Sequence, residues 1–109
     1  MGFDERLAER IRKRLGSYKE IAEKKMFGGI AFLLNGNMCV GVHKQDLIVR
    51  LAPEETDTAL AEPHTQVFDL SGRPMKGWIL VESRGLKDEK TLGKWVRISV
   101  DYALSLPKK

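Results

Sequence analysis

Apolar positions along this chain alternate between two spacings, and the changes of spacing mark its elements. Over residues 4–15, with Phe3 just ahead, Leu7, Ala8, Ile11 and Leu15 recur at the interval of one helical face. Asp4 suits the start of that helix, where a carboxylate accepts from unpaired backbone N–H groups, and Gly16 suits its end. Residues 17–25 show no clear period and read as a connector with one helical turn. Phe27 to Leu34 is continuously apolar and reads as a strand. Asn35-Gly36 follows, and because both residues tolerate positive φ the pair predicts a tight hairpin turn. Met38 to His43 returns as a second strand, Lys44-Gln45-Asp46 turns, and Leu47 to Leu51 makes a third. Pro53 to Leu60 predicts a short helix, with Pro53 at its first position and Glu54 and Glu55 on its positive end. Thr65 to Leu70 is a fourth strand, Ser71 to Lys76 a turn punctuated by Gly72 and Pro74, and Gly77 to Glu82 a fifth. A last helix runs from Asp88 to Leu106, with Leu92, Trp95, Val96, Ser99, Tyr102, Ala103 and Leu106 as its inner stripe, and Pro107 ends it.

The order α-β-β-β-α-β-β-α predicts an α+β two-layer sandwich, helices packed on an antiparallel five-stranded sheet, in one domain spanning residues 1–109. Helices on one face should leave the other face polar. The alternation does not deliver that. Ile30, Phe32 and Leu34 point one way, yet Ala31 and Leu33 point the other. Leu47, Val49 and Leu51 are opposed by Ile48, and Ile79 and Val81 by Trp78 and Leu80. Cys39 alternates away from Met38 and Val40. A sheet apolar on both sides in a chain this short predicts a second covering layer, either a wrapping helix or another protein. Ala31, Leu33, Cys39, Ile48, Trp78 and Leu80 are the candidate partner-binding surface, with Arg73 at its margin, and a homodimer is the expected assembly.

Composition narrows the class. The 109 residues are 42% hydrophobic and 31% charged, with a single cysteine, which cannot form an internal disulfide. No stretch approaches the roughly 18 apolar residues of a membrane span. The first residues are charged from Asp4 onward, unlike a secretory leader, so a reducing cytoplasm is the expected location. The net charge of +4 is uneven: residues 1–25 hold eight Lys/Arg against five acids, and the rest hold eleven against ten. Arg6, Arg10 and Arg14 form an i,i+4 row of like charge on the first helix, a small cost to that helix. With Lys24 and Lys25 they are the candidate contacts for nucleic acid, the second functional reading.

Candidate chemistry is sparse. Gly28-Gly29 leads into a strand, whereas a phosphate-cradling loop leads into a helix N-terminus. The better reading is a bulge, or a close backbone approach that leaves no room for a Cβ. Cys39 and His43 lie on one strand about 13 Å apart, too far for proton transfer. His43 and His64 have no cysteine or carboxylate at metal-ligand spacing, and no nucleophile elbow or paired-carboxylate motif occurs. No catalytic residue, cofactor or metal is assigned, and the chain is expected not to be an enzyme.

Two signatures about 45 residues apart carry a family resemblance. Lys24-Lys25-Met26-Phe27-Gly28-Gly29-Ile30-Ala31-Phe32 is the first, and Gly72-Arg73-Pro74-Met75 running into Lys76-Gly77-Trp78 is the second. With the closing helix around Leu92 to Leu104, they make the chain resemble the N-terminal domain of the TfoX/Sxy family. The resemblance implies a secretion-chaperone-like two-layer fold, whose members often dimerise or hold a partner segment. It also implies a bacterial regulatory role, since named members are positive regulators of natural competence that act with the cyclic-AMP receptor protein at promoters. Those members carry a second, C-terminal domain, and the resemblance here is to the N-terminal domain alone. The family offers no established catalytic residues to carry over.

Overall fold

A computed structural model describes residues 3–26, 28–68 and 76–108. Helix α1 (Glu5–Leu15) is followed by four consecutive antiparallel strands: β1 (Ile21–Met26), β2 (Gly29–Leu34), β3 (Asn37–His43) and β4 (Asp46–Arg50). A 3-10 turn at Pro53–Glu55 leads into the short helix α2 (Thr56–Leu60), then β5 (Thr65–Val67). The chain returns as β6 (Trp78–Val81), passes a second 3-10 turn at Ser83–Gly85, and ends in α3 (Glu89–Ser105). The sheet order is β1-β2-β3-β4-β6-β5, so β6 inserts between β4 and β5, antiparallel to both. The α+β class, the antiparallel sheet and the three helices match the reading of the sequence. The radius of gyration is 12.6 Å.

Among the described residues the sheet has six strands, not five. The extra one is β1, where a connector with a helical turn was expected. Ala22, Glu23, Lys24 and Lys25 are all exposed, so the segment carries no apolar period of its own. It is a strand because β2 supplies a full antiparallel ladder from Ile21↔Leu34 to Met26↔Gly29. Its charges suit an edge strand, where they discourage pairing with other chains. Strand β5 is shorter than expected, ending at Val67. Phe27 and the Ser71 to Met75 turn fall outside the described residues.

Turn chemistry explains the hairpins. Asn35 and Gly36 take φ of 56° and 82°, as the β2–β3 turn requires. Gly29 confirms the close-approach reading: a Cβ there would overlap the Val42 carbonyl oxygen and stand 3.0 Å from its carbon. Gly77, at φ 88°, accepts from the Leu51 N–H at 2.9 Å and donates its own N–H to Thr56 Oγ1 at 2.8 Å. That pair of bonds fixes the start of β6 against α2.

All three helices contribute to one core on one side of the sheet. Leu7, Ile11 and Leu15 of α1, Ala59 of α2, and Leu92, Trp95, Val96, Val100 and Ala103 of α3 pack on Ile30, Phe32, Leu34, Val40, Val42, Leu47, Val49, Ile79 and Val81. Asp4 caps α1 by accepting from Arg6 and Leu7 N–H groups, and Asp88 caps α3 through Lys90 N–H. Asn37, 2% exposed, donates from Nδ2 to the Pro107 carbonyl at 3.0 Å and so ties β3 to the end of α3.

Candidate functional site

The other side of the sheet carries its own apolar cluster. Ala31, Met38, Ile48 and Phe68 are buried there, with Met26, Leu33, Trp78 and Leu80 half-buried around them. The alternation of β2, β4 and β6 builds this face, since Ala31 and Leu33 on β2, Ile48 on β4, and Trp78 and Leu80 on β6 all point away from the helices. The Phe68 and Trp78 rings lie 6.2 Å apart, tilted by 41°. Among the described residues no helix contributes to this cluster.

Of the candidate partner-binding residues, Ala31 and Ile48 form the floor of this face, at 0% and 1% exposure, and Leu33 and Trp78 form its half-exposed rim. Arg73 lies outside the described residues. Cys39 requires a correction, because it belongs to the helix-side core and not to this face. The cause is a register shift between Phe32 and Leu33: Phe32 pairs with Val40 and Leu33 with Met38, leaving Cys39 as the extra residue of a bulge. Simple alternation fails across such a bulge, so Cys39 and Val40 both face the helices while Met38 faces away. The buried Cys39 thiol donates to the Phe32 carbonyl at 3.3 Å. Burial pushes its pKa up to about 11, which keeps it a protonated thiol at neutral pH.

One residue of this face went unnoticed in the sequence. Arg50 ends β4 opposite Trp78, its guanidinium carbon 5.2 Å from the Trp78 ring centre and 5.5 Å from that of Tyr102 on α3. Its Nη1 donates to the Met38 carbonyl at 3.3 Å. A cation over aromatic faces is held by the ring quadrupole, and here it closes one end of the sheet. The available signal was Arg50 at the same alternation position as Ile48.

The candidate nucleic-acid residues are not brought to one surface. Arg10 donates from Nε to Glu89 at 2.6 Å and from Nη2 to the Leu86 carbonyl at 2.6 Å. Arg14 donates from Nη2 to the Glu89 carbonyl at 2.6 Å and to its carboxylate at 3.2 Å. The like-charge row therefore clamps α1 to the start of α3. Arg10, and then Arg14, hold the Glu89 carboxyl below its usual range. Arg6 is exposed on the same helix, whereas Lys24 and Lys25 sit on β1 opposite Ala31 and Ile30, so alternation sends them to opposite faces of the sheet. Arg12, also on α1, pairs with Glu23 at 2.7 Å and lowers that carboxyl's pKa by hydrogen bonding.

Among the described residues no group of three or more His, Cys, Asp or Glu is placed to hold a metal ion. No helix among them is long and apolar enough to cross a membrane. Fold and surfaces together define a small α+β module with a two-sided apolar sheet and a helix layer locked by arginine–glutamate contacts. The family model for the TfoX N-terminal domain matches residues 13–103, nearly the whole chain, and the chain belongs to that family. No curated protein and no solved structure matches it.

Proposed function

We propose that the chain is a non-enzymatic regulatory module of a bacterial cytoplasm that works by binding protein across the helix-free face of its sheet, with a second copy of itself as the first partner. Membership of the TfoX N-terminal domain family supports a role in the control of competence or transcription. The observation that carries the proposal is the second apolar cluster, with Met26, Leu33, Trp78 and Leu80 half-exposed around a buried floor. Aromatic and methionine side chains at the centre of a patch are the usual anchors of a protein interface. Arg50 and Lys24 border it, giving a polar margin.

The alternative, nucleic-acid contact through Arg6, Arg10, Arg14, Lys24 and Lys25, has less support, because Glu89 occupies two of these arginines and the lysines lie elsewhere. Sedimentation equilibrium over a wide concentration range tests the main reading. The expected result is a dimer mass that reverts to monomer in Leu33→Asp and Leu80→Asp variants of unchanged circular dichroism. A wild-type protein that stays monomeric at the highest soluble concentration sinks the self-association.

A further inference from the structure

A stripe of cations runs along the outer side of α3. Lys90, Lys94 and Arg97 follow at intervals of four and three residues, so the stripe holds to one helical face, with Lys87 just ahead of the helix, and all four are exposed. Lys87 and Lys90 make no ion pair among the described residues. Arg97 reaches Asp101 only at 3.9 Å, with both side chains largely in solvent. Lys94 pairs with Glu62 and lies 4.5 Å from the Trp95 ring centre.

Between this stripe and the end of α1 lies an open groove of about 540 Å³. Its charged lining is Arg14, Lys90, Lys94 and Arg97 against Asp101 alone, a balance of four to one. Arg14 enters it by lying over Gly93, where a Cβ would stand 2.5 Å from Nη1. The glycine thus lets a cation of α1 join those of α3. Tyr18, 38% exposed, lines the same groove. On the other side of Lys94 a second open cavity, of about 340 Å³, sets Arg84 and Lys87 against Glu62 and Asp88, so the basic band ends at Lys94.

Adjacent like charges on a helix destabilise it slightly, and a bound polyanion offsets that cost. From Lys90 to Arg97 the helix rises about 10.5 Å, enough to face several successive phosphates. An acidic peptide would satisfy the charges equally, but an exposed aromatic beside a cation row is the arrangement that tracks a single strand and stacks its bases. We propose that the α1–α3 groove binds single-stranded nucleic acid, with Lys90, Lys94 and Arg97 on its phosphodiester backbone and Tyr18 as a stacking face. This surface lies on the helix layer, away from the sheet face assigned to protein binding, so either reading can fail without the other.

The test is fluorescence anisotropy with labelled DNA and RNA single strands, a labelled duplex and labelled polyglutamate. Three phosphate contacts give a log–log salt slope of about −2.1, or roughly 18-fold weaker binding at 200 mM than at 50 mM salt. Lys90→Ala combined with Arg97→Ala should bring the slope to about −0.7 and the loss to about 2.6-fold. Tyr18→Ala should weaken binding roughly tenfold at every salt concentration without changing the slope. The charge-matched pair Lys24→Ala and Lys25→Ala, on β1, should change neither quantity. Several results overturn the proposal: no salt-dependent binding of either strand, an equal loss from the β1 pair, tighter binding of duplex than of single strand, or binding of polyglutamate in place of the oligonucleotides.

Discussion

Two neighbouring glycines resist substitution for different reasons, and the structure ranks the costs. Gly28 has φ of 71° and nothing within 4 Å of where a Cβ would stand. Alanine there meets only the intrinsic penalty of left-handed backbone, about 1 kcal/mol. Gly29 has ordinary backbone, but its Cβ would overlap the Val42 carbonyl oxygen and crowd the His43 Cα at 3.3 Å. These are backbone atoms of a central strand and cannot rotate aside. Strands β2 and β3 would have to part, at the roughly 1–3 kcal/mol of an overpacked site plus about 1 kcal/mol for a weakened ladder hydrogen bond. Gly29→Ala should thus cost about 3 kcal/mol against about 1 for Gly28→Ala. With a urea m-value of about 2 kcal/mol/M, the unfolding midpoints should fall by about 1.5 M and 0.5 M. Urea melts followed by tryptophan fluorescence read both. If Gly29→Ala costs no more than Gly28→Ala, the close approach of β3 to β2 is not what requires the second glycine.

Cys39, buried and with its pKa raised to about 11, should react with a thiol reagent at neutral pH far more slowly than free cysteine, and at the free rate once denatured; fast labelling of the folded protein would contradict its burial. Glu89, whose pKa is lowered by Arg10 and then Arg14, contributes stability that is complete above the ordinary glutamate range and is lost as pH falls through the lowered folded value. Wild type should therefore melt above Glu89→Gln at neutral pH, with the gap closing on acidification, and a gap independent of pH would refute the clamp.

Local chemistry made much of the fold legible. Asn35-Gly36 announced its turn because both residues accept positive φ, and the α3 stripe of Leu92, Trp95, Val96, Ser99 and Ala103 announced its buried face because a long helix repeats its period several times. Strand β1 was hidden, since its residues are polar and the cause of its shape is the facing edge of β2. Cys39 was misplaced by a single-residue bulge, which inverts alternation for everything beyond it. The partner of Arg10 and Arg14 is Glu89, 75 or more residues away, so the row looked free. Lys87, Lys90, Lys94 and Arg97 escaped notice because Asp88, Glu89 and Asp101 balance them in a net count. The helical spacing of Lys90, Lys94 and Arg97, not the sum, is the signal.

The face assignment is tested most directly by methyl NMR of the intact chain over a dilution series. The account predicts that methyl signals of Met26, Leu33 and Leu80, on the helix-free face, move with concentration, while those of Leu7, Ile11 and Leu92 in the helix-side core stay fixed. Signals that do not depend on concentration anywhere, or that move only on the helix side, would contradict it.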